Sequence, residues 1–327
     1  MRAPIGSIFR SVIKNFGESR IRFNYDRFLV DSVINNLIPI SDEMRAATRA
    51  ISLTNCRGVV VTPLNYESDR NILFCHGGAF CFSLTKFYLP FVYELAVQTR
   101  SKVLMPDYRL SPENTFPAAL NDCLDGYKWI TNDREDSKVF ILGDSAGGNL
   151  AFNVTERLDG RGIGLLSPWL DLTQSSQLWN QECDDDVVQP ESARRAAWFY
   201  VKGDDDWSFG QSDPANKSDF LVKVRDPSVS PIFGSLEFLK RTPLLLQVSD
   251  SERLFCDAAL LWERIGGTIP NLDHHRSEEP NVKFSRGCTQ LSVWFDQPHV
   301  WQVVRRRSRP GKLANIELAK FINSTLD

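Results

Sequence analysis

Residues 138–150 read KVFILGDSAGGNL, and no other stretch restricts the fold of this chain so tightly. Val139, Phe140, Ile141 and Leu142 form a short apolar, β-prone run that predicts a buried strand. Gly143-Asp144-Ser145-Ala146-Gly147 follows without a gap, with Gly148 behind it. G-x-S-x-G after a strand is the pattern of a sharp strand-to-helix turn that lifts a serine hydroxyl out of a sheet. Such a turn strains the serine backbone, and its glycines remove side chains that would strike the neighbouring strand and helix. A helix opening at Ala146 leaves N–H groups beside the serine, facing any negative charge that develops there.

The rest of the chain alternates around this turn. Apolar runs at 58–63, 71–75, 102–105, 162–166, 242–248 and 291–295 read as strands. Helical stretches at 88–99, 118–131, 146–158 and 257–265 separate them, and another closes the chain at 314–322. This alternation predicts an α/β fold, a mostly parallel sheet of about eight strands flanked by helices. The 327 residues, 42% hydrophobic and 24% charged, suffice for one such domain spanning 1–327.

Three segments break the rhythm. Residues 1–48 read as amphipathic helices, with Ile8, Val12, Ile13 and Phe16 near one face and Phe28, Leu29, Val33, Ile34 and Leu37 on another. Residues 172–228 interleave Trp179, Trp198, Phe199, Tyr200 and Trp207 with acidic clusters at 184–186 and 204–206. These two segments are expected to form a helical cap over the ligand-binding edge of the sheet. The acidic clusters are expected to be solvated, because consecutive carboxylates do not match the alternating ligands of a calcium loop. Residues 268–287 read as a polar, irregular surface insertion.

A net charge of −3 argues against a polyanion-binding field, and Arg305-Arg306-Arg307 reads as a solvated patch, so no nucleic-acid partner is expected. No run approaches the ~18 apolar residues of a membrane span. Arg10, Lys14 and Glu18 interrupt the first twenty residues, which therefore lack the apolar core of a signal peptide. The seven cysteines are odd in number and never spaced C-x-x-C, which favours reduced thiols in the cytoplasm over a disulfide frame or a zinc site. Neither a metal nor a cofactor is expected. A homodimer stays open as an assembly.

An activated serine needs a base, a group that orients the base, and donors for an oxyanion. Only four histidines can serve: His76, His274, His275 and His299. His299 follows the last strand, where a sheet presents its loops to a ligand, and is the expected base. His274 and His275 lie in the polar insertion and read as surface residues. His76 opens His76-Gly77-Gly78-Ala79-Phe80 directly after a strand, a loop whose backbone donors suit an oxyanion hole. The N–H groups of Gly77 and Gly78 are expected to act there with that of Ala146. His76 itself is expected to shape the loop. For the orienting acid, Asp250, Glu252 and Asp257 follow the strand ending at Val248. Asp257 falls inside the next helix, whereas Asp250 and Glu252 both lie in the loop, and either suits the role.

HGGAF at 76–80, DYRLSPENTFPAAL at 107–120, GDSAGGNL at 143–150, DPSVSP at 226–231 and PHVWQ at 298–302 occur in this order. From about residue 58 onward the chain resembles the hormone-sensitive-lipase-like group of α/β-hydrolases, which includes carboxylesterases and arylacetamide-deacetylase-like enzymes. The resemblance implies an α/β-hydrolase fold with Ser145 as nucleophile and His299 as base. It places the acid at Glu252 in QVSDSERL, with Asp250 in reserve. It also implies that Asp107–Glu113 is structural, with Arg109 paired to Glu113. Ala79 departs from the third glycine of many members and is expected to narrow the acyl site. The implied activity is cofactor-free hydrolysis of short acyl or aryl esters through an acyl-enzyme. An amidase or deacetylase of a small metabolite uses the same machinery. Plant hormone receptors of this family lack the catalytic histidine, and the presence of His299 argues against a receptor.

Overall fold

The computed structural model describes residues 20–30, 35–132, 137–158, 160–180, 186–203, 214–270, 272 and 280–327. Among these residues, nine strands make one sheet in the order β1-β2-β4-β3-β5-β6-β7-β9-β8. They are β1 (Thr48–Ser52), β2 (Arg57–Val61), β3 (Arg70–Cys75), β4 (Lys102–Asp107), β5 (Lys138–Asp144), β6 (Gly162–Leu166), β7 (Leu244–Ser249), β8 (Asn281–Arg286) and β9 (Thr289–Trp294). The run from β4 through β3, β5, β6 and β7 to β9 is parallel. The β1–β2, β2–β4 and β8–β9 pairs are antiparallel.

The helices are α1 (Arg20–Phe28), α2 (Asp42–Ala47), α3 (Thr85–Thr99), α4 (Ala118–Thr131), α5 (Ala146–Arg157), α6 (Pro190–Lys202), α7 (Pro214–Lys223), α8 (Phe255–Arg264), α9 (Trp301–Val304) and α10 (Arg309–Leu326). Ser308 caps α10, its Oγ accepting the Gly311 N–H at 3.2 Å. Every residue of β3, β6 and β7 is buried, as the two covered faces of a parallel sheet require.

Three expectations change. The sheet has two edge strands, β1 and β8, that carry no apolar run. Asn281–Arg286, read as part of an irregular insertion, pairs along its whole length with β9. Arg109 pairs with Asp122 on α4 at 2.9 Å rather than with Glu113, because the α4 carboxylate faces the strand end. Glu113 instead meets Arg27 of α1 at 2.5 Å. Asp186, one of the expected solvated acids, is 4% exposed. Its carboxylate accepts backbone N–H groups that water would otherwise have to serve. Ile8, Val12, Ile13, Phe16, His274, His275 and residues 184–185 and 204–206 lie outside the described residues.

The topology fixes where a ligand can bind. The chain leaves β3 for β4 on one side, then returns to place β5 on the other. The loops after β3 and β5 therefore diverge at a switch in strand order, which opens a crevice at the carboxyl ends of the strands.

Candidate active site

The residues of interest all follow carboxyl ends of parallel strands: 76–80 after β3, Ser145 after β5, Ser167 after β6, Glu252 after β7 and His299 after β9. Ser145 has φ 52° and ψ −124°, a strained conformation held from both sides. Its N–H donates to Leu166 O at 3.0 Å, and its carbonyl accepts the Trp169 N–H at 3.0 Å. The flanking glycines allow this packing. A Cβ on Gly143 would lie 2.2 Å from Gly147 O, and one on Gly147 would lie 2.1 Å from Cys75 O.

His299 Nδ1 lies 2.6 Å from Glu252 Oε2. Glu252 Oε1 accepts the Ser249 N–H and the Ser167 hydroxyl, each at 2.8 Å. A carboxylate held at both oxygens presents a fixed face to Nδ1 and leaves Nε2 for other work. Burial alone drives the imidazole pKa down, but the hydrogen bond and charge of Glu252, with Asp186 and Asp144, raise it above 6.5. Asp250, the other candidate acid, turns toward Asp296, whose N–H it accepts at 3.1 Å. Asp257 accepts the N–H groups of Leu170 and Asp171 at 2.7 and 2.8 Å and so braces the loop after β6. Ser145 and His299 share no hydrogen bond here. Such contacts tighten when substrate is bound.

Gly77 is not positioned as expected. Its N–H donates to Asp144 Oδ1 at 2.9 Å and is thereby committed. Tyr88 OH donates to the second oxygen of Asp144 at 2.6 Å. Asp144 is fully buried, and this burial pushes its carboxyl up to about 7. The next two residues of the loop are Gly78 at φ 120° and Ala79 at φ 53°. Neither N–H meets a protein acceptor among the described residues. The Ala146 N–H opens α5 and has no acceptor within the helix. His76 stacks on Tyr108 at 4.3 Å, and its Nδ1 donates to Gly77 O at 2.7 Å. Burial lowers its pKa and keeps the ring neutral.

Buried aromatic side chains pack around the loop after β3. Phe80 stacks on Tyr200 of α6 at 3.8 Å and tilts against Trp169 at 5.9 Å. Phe199 of α6 meets Phe23 of α1 at 5.3 Å, so both helices lie over the loop after β3. Arg27 of α1 secures that position by donating to Cys81 O at 2.8 Å. Among the described residues, no group of three His, Cys, Asp or Glu side chains is placed to hold a metal ion, and no helix is long and apolar enough to cross a membrane.

Sequence reasoning missed Asp144, Ser167, Tyr88 and Asp186. Asp144 and Ser167 carry a positional signal, each standing where a parallel strand ends. Tyr88 and Asp186 carry none, because their partners are distant in sequence.

A family model described as alpha/beta hydrolase fold matches residues 72–278. Esterase LipU of Mycobacterium tuberculosis is 32% identical over 291 residues, covering 84% of this chain and 85% of that protein. An acetyl-hydrolase of Streptomyces hygroscopicus is 27% identical, covering 86% of this chain and 81% of that protein. A solved esterase of the bacterial hormone-sensitive lipase family superposes with a TM-score of 0.74 at 23% identity, over 100% of both chains. The chain belongs to the α/β-hydrolase fold family, and within it to the carboxylic ester hydrolases.

Proposed function

We propose that this ester hydrolase cleaves short acyl or aryl esters through an acyl-enzyme on Ser145. His299 Nε2 takes the Ser145 proton as Oγ attacks the ester carbonyl. The carbonyl oxygen becomes an oxyanion, received by the N–H groups of Gly78, Ala79 and Ala146. Glu252 holds the imidazole in one tautomer and stabilises the imidazolium. The alcohol leaves with the proton from His299. Water then attacks the acyl-enzyme with His299 again as base, releasing the acid and restoring Ser145. No metal or cofactor is required by this sequence of steps.

The observation that carries the reading is the 2.6 Å contact between His299 Nδ1 and Glu252, set beside a serine at positive φ. In this proposal the segments 1–48 and 172–228 act as a cap on a single domain, and their aromatic residues give an apolar pocket suited to small groups. The six described cysteines are free, which suits a cytoplasmic protein. The test is turnover of p-nitrophenyl esters from acetate to laurate by wild type and Ser145→Ala. Activity on the short esters, lost in the variant, is expected. No turnover at any chain length would sink the proposal.

A further inference from the structure

Asp186 lies in the inserted segment between β6 and β7, far in sequence from the other acids of the site. Its Oδ2 accepts the N–H of Arg253 at 2.7 Å, the residue directly after Glu252. Its Oδ1 accepts the Val188 N–H at 3.1 Å, and its carbonyl receives the Gln189 side chain at 2.6 Å. Arg253 answers in the other direction: its Nη1 donates to Trp179 O, at the start of the same segment, at 3.0 Å. The acid loop and the inserted segment thus grip one another twice. A surface loop has no physical need to bury a carboxylate at this junction, since water would solvate it at no cost.

We propose that Asp186 is a positioning residue, which docks the inserted segment onto the loop bearing Glu252 and adds a second buried carboxylate to the surroundings of His299. This rests on His299 being the base. Glu252 contacts the imidazole directly, and the charges of Asp186, from the inserted segment, and Asp144, from the turn before Ser145, also favour its protonated form. Burial pushes the Asp186 carboxyl above its ordinary range, helped by the charge of Glu252, while His299 and the N–H groups of Arg253 and Val188 pull it back toward the anion. An anion near an imidazole favours its protonated form. The same anion stabilises the imidazolium that forms as Ser145 attacks, so Asp186 couples a docked cap to a competent base.

The test is the pH profile of kcat/KM for Asp186→Asn. The amide keeps an oxygen for the Arg253 N–H but removes the charge. Only neutral imidazole can accept the serine proton, so the acid limb marks the pKa of His299. Loss of a neighbouring anion lowers that pKa. The limb should therefore move to lower pH by at least about half a unit, with a thermal midpoint close to wild type. Asp186→Ser, a second neutral substitution with an oxygen acceptor, should give the same shift and serves if the amide variant does not fold. Glu252→Gln is the control, because it must also move the limb downward if the limb belongs to His299. A limb unmoved by either Asp186 variant but moved by Glu252→Gln overturns the role of Asp186 alone. A limb unmoved by all three overturns the assignment of His299 and the inference with it.

Discussion

At the scale of single residues, the division of labour among the acids is the sharpest expectation. Asp250 and Glu252 stand two positions apart on one loop, yet only Glu252 turns inward to Nδ1 of His299. Glu252→Gln should lower kcat by about 10³–10⁴, the scale seen when an orienting carboxylate becomes an amide. Asp250→Asn should leave kcat within about threefold, as for a solvent-side substitution. Steady-state kinetics of the two variants decide the matter, and a larger loss for Asp250→Asn reverses the assignment. The serine, the histidine and the acidic loop were legible because each follows a strand that its apolar run announces. The commitment of the Gly77 N–H to Asp144 was not, since the two are 67 residues apart and nothing local marks the pair. The burial of Asp186 was hidden for the same reason. Consecutive acids read as solvated until a distant backbone donor claims one of them.

At the scale of elements, the turn at 143–148 owes its shape to backbone packed on backbone. A Cβ on Gly147 would meet Cys75 O and His76 O at 2.1 and 2.5 Å, and neither carbonyl can swing aside as a side chain would. Gly147→Ala should cost about 3 kcal/mol or more. Gly287→Ala offers the contrast: nothing lies within 4 Å of its Cβ, and only the positive φ of 58° resists, at about 1 kcal/mol. Thermal or urea unfolding of both variants measures the difference, and equal costs would show that contact does not govern the turn. The buried strands were legible from composition because both faces are covered. The edge strands were not. Thr48–Ser52 and Asn281–Arg286 contain no fully buried residue, so their sequences look like loop and only pairing makes them strands. The pairing of Arg109 with Asp122 follows from α4 lying beside β4, a tertiary fact that the segment 107–113 does not contain.

At the scale of the whole molecule, two fully buried carboxyls govern part of the pH dependence of stability. Burial pushes Asp144 and Asp257 up to about 7, with Asp171 adding to the rise at Asp257. Between the ordinary carboxyl pKa near 4 and this value, the folded protein holds protons that the unfolded chain releases. Their contribution is therefore complete at low pH and declines as pH rises through about 7. His76 acts in the opposite sense. Its pKa is lowered by burial, so the unfolded chain binds the proton first as pH falls below 6.5. The difference between wild type and Asp257→Asn isolates one carboxyl from this sum. The stability advantage of wild type over the variant should shrink as pH rises from 5 to 8, by chemical denaturation. An advantage constant across that range would contradict a raised pKa at Asp257.

The proposed chemistry depends first on attack of Ser145 on the ester carbonyl. Covalent trapping tests it most directly. Wild type is incubated with a p-nitrophenyl alkylphosphonate, digested, and mapped by mass spectrometry. One adduct is expected, on Ser145, formed in step with loss of esterase activity, absent from Ser145→Ala and slowed in His299→Ala. Complete inactivation with the adduct on another residue, or esterase turnover retained by Ser145→Ala, would contradict it.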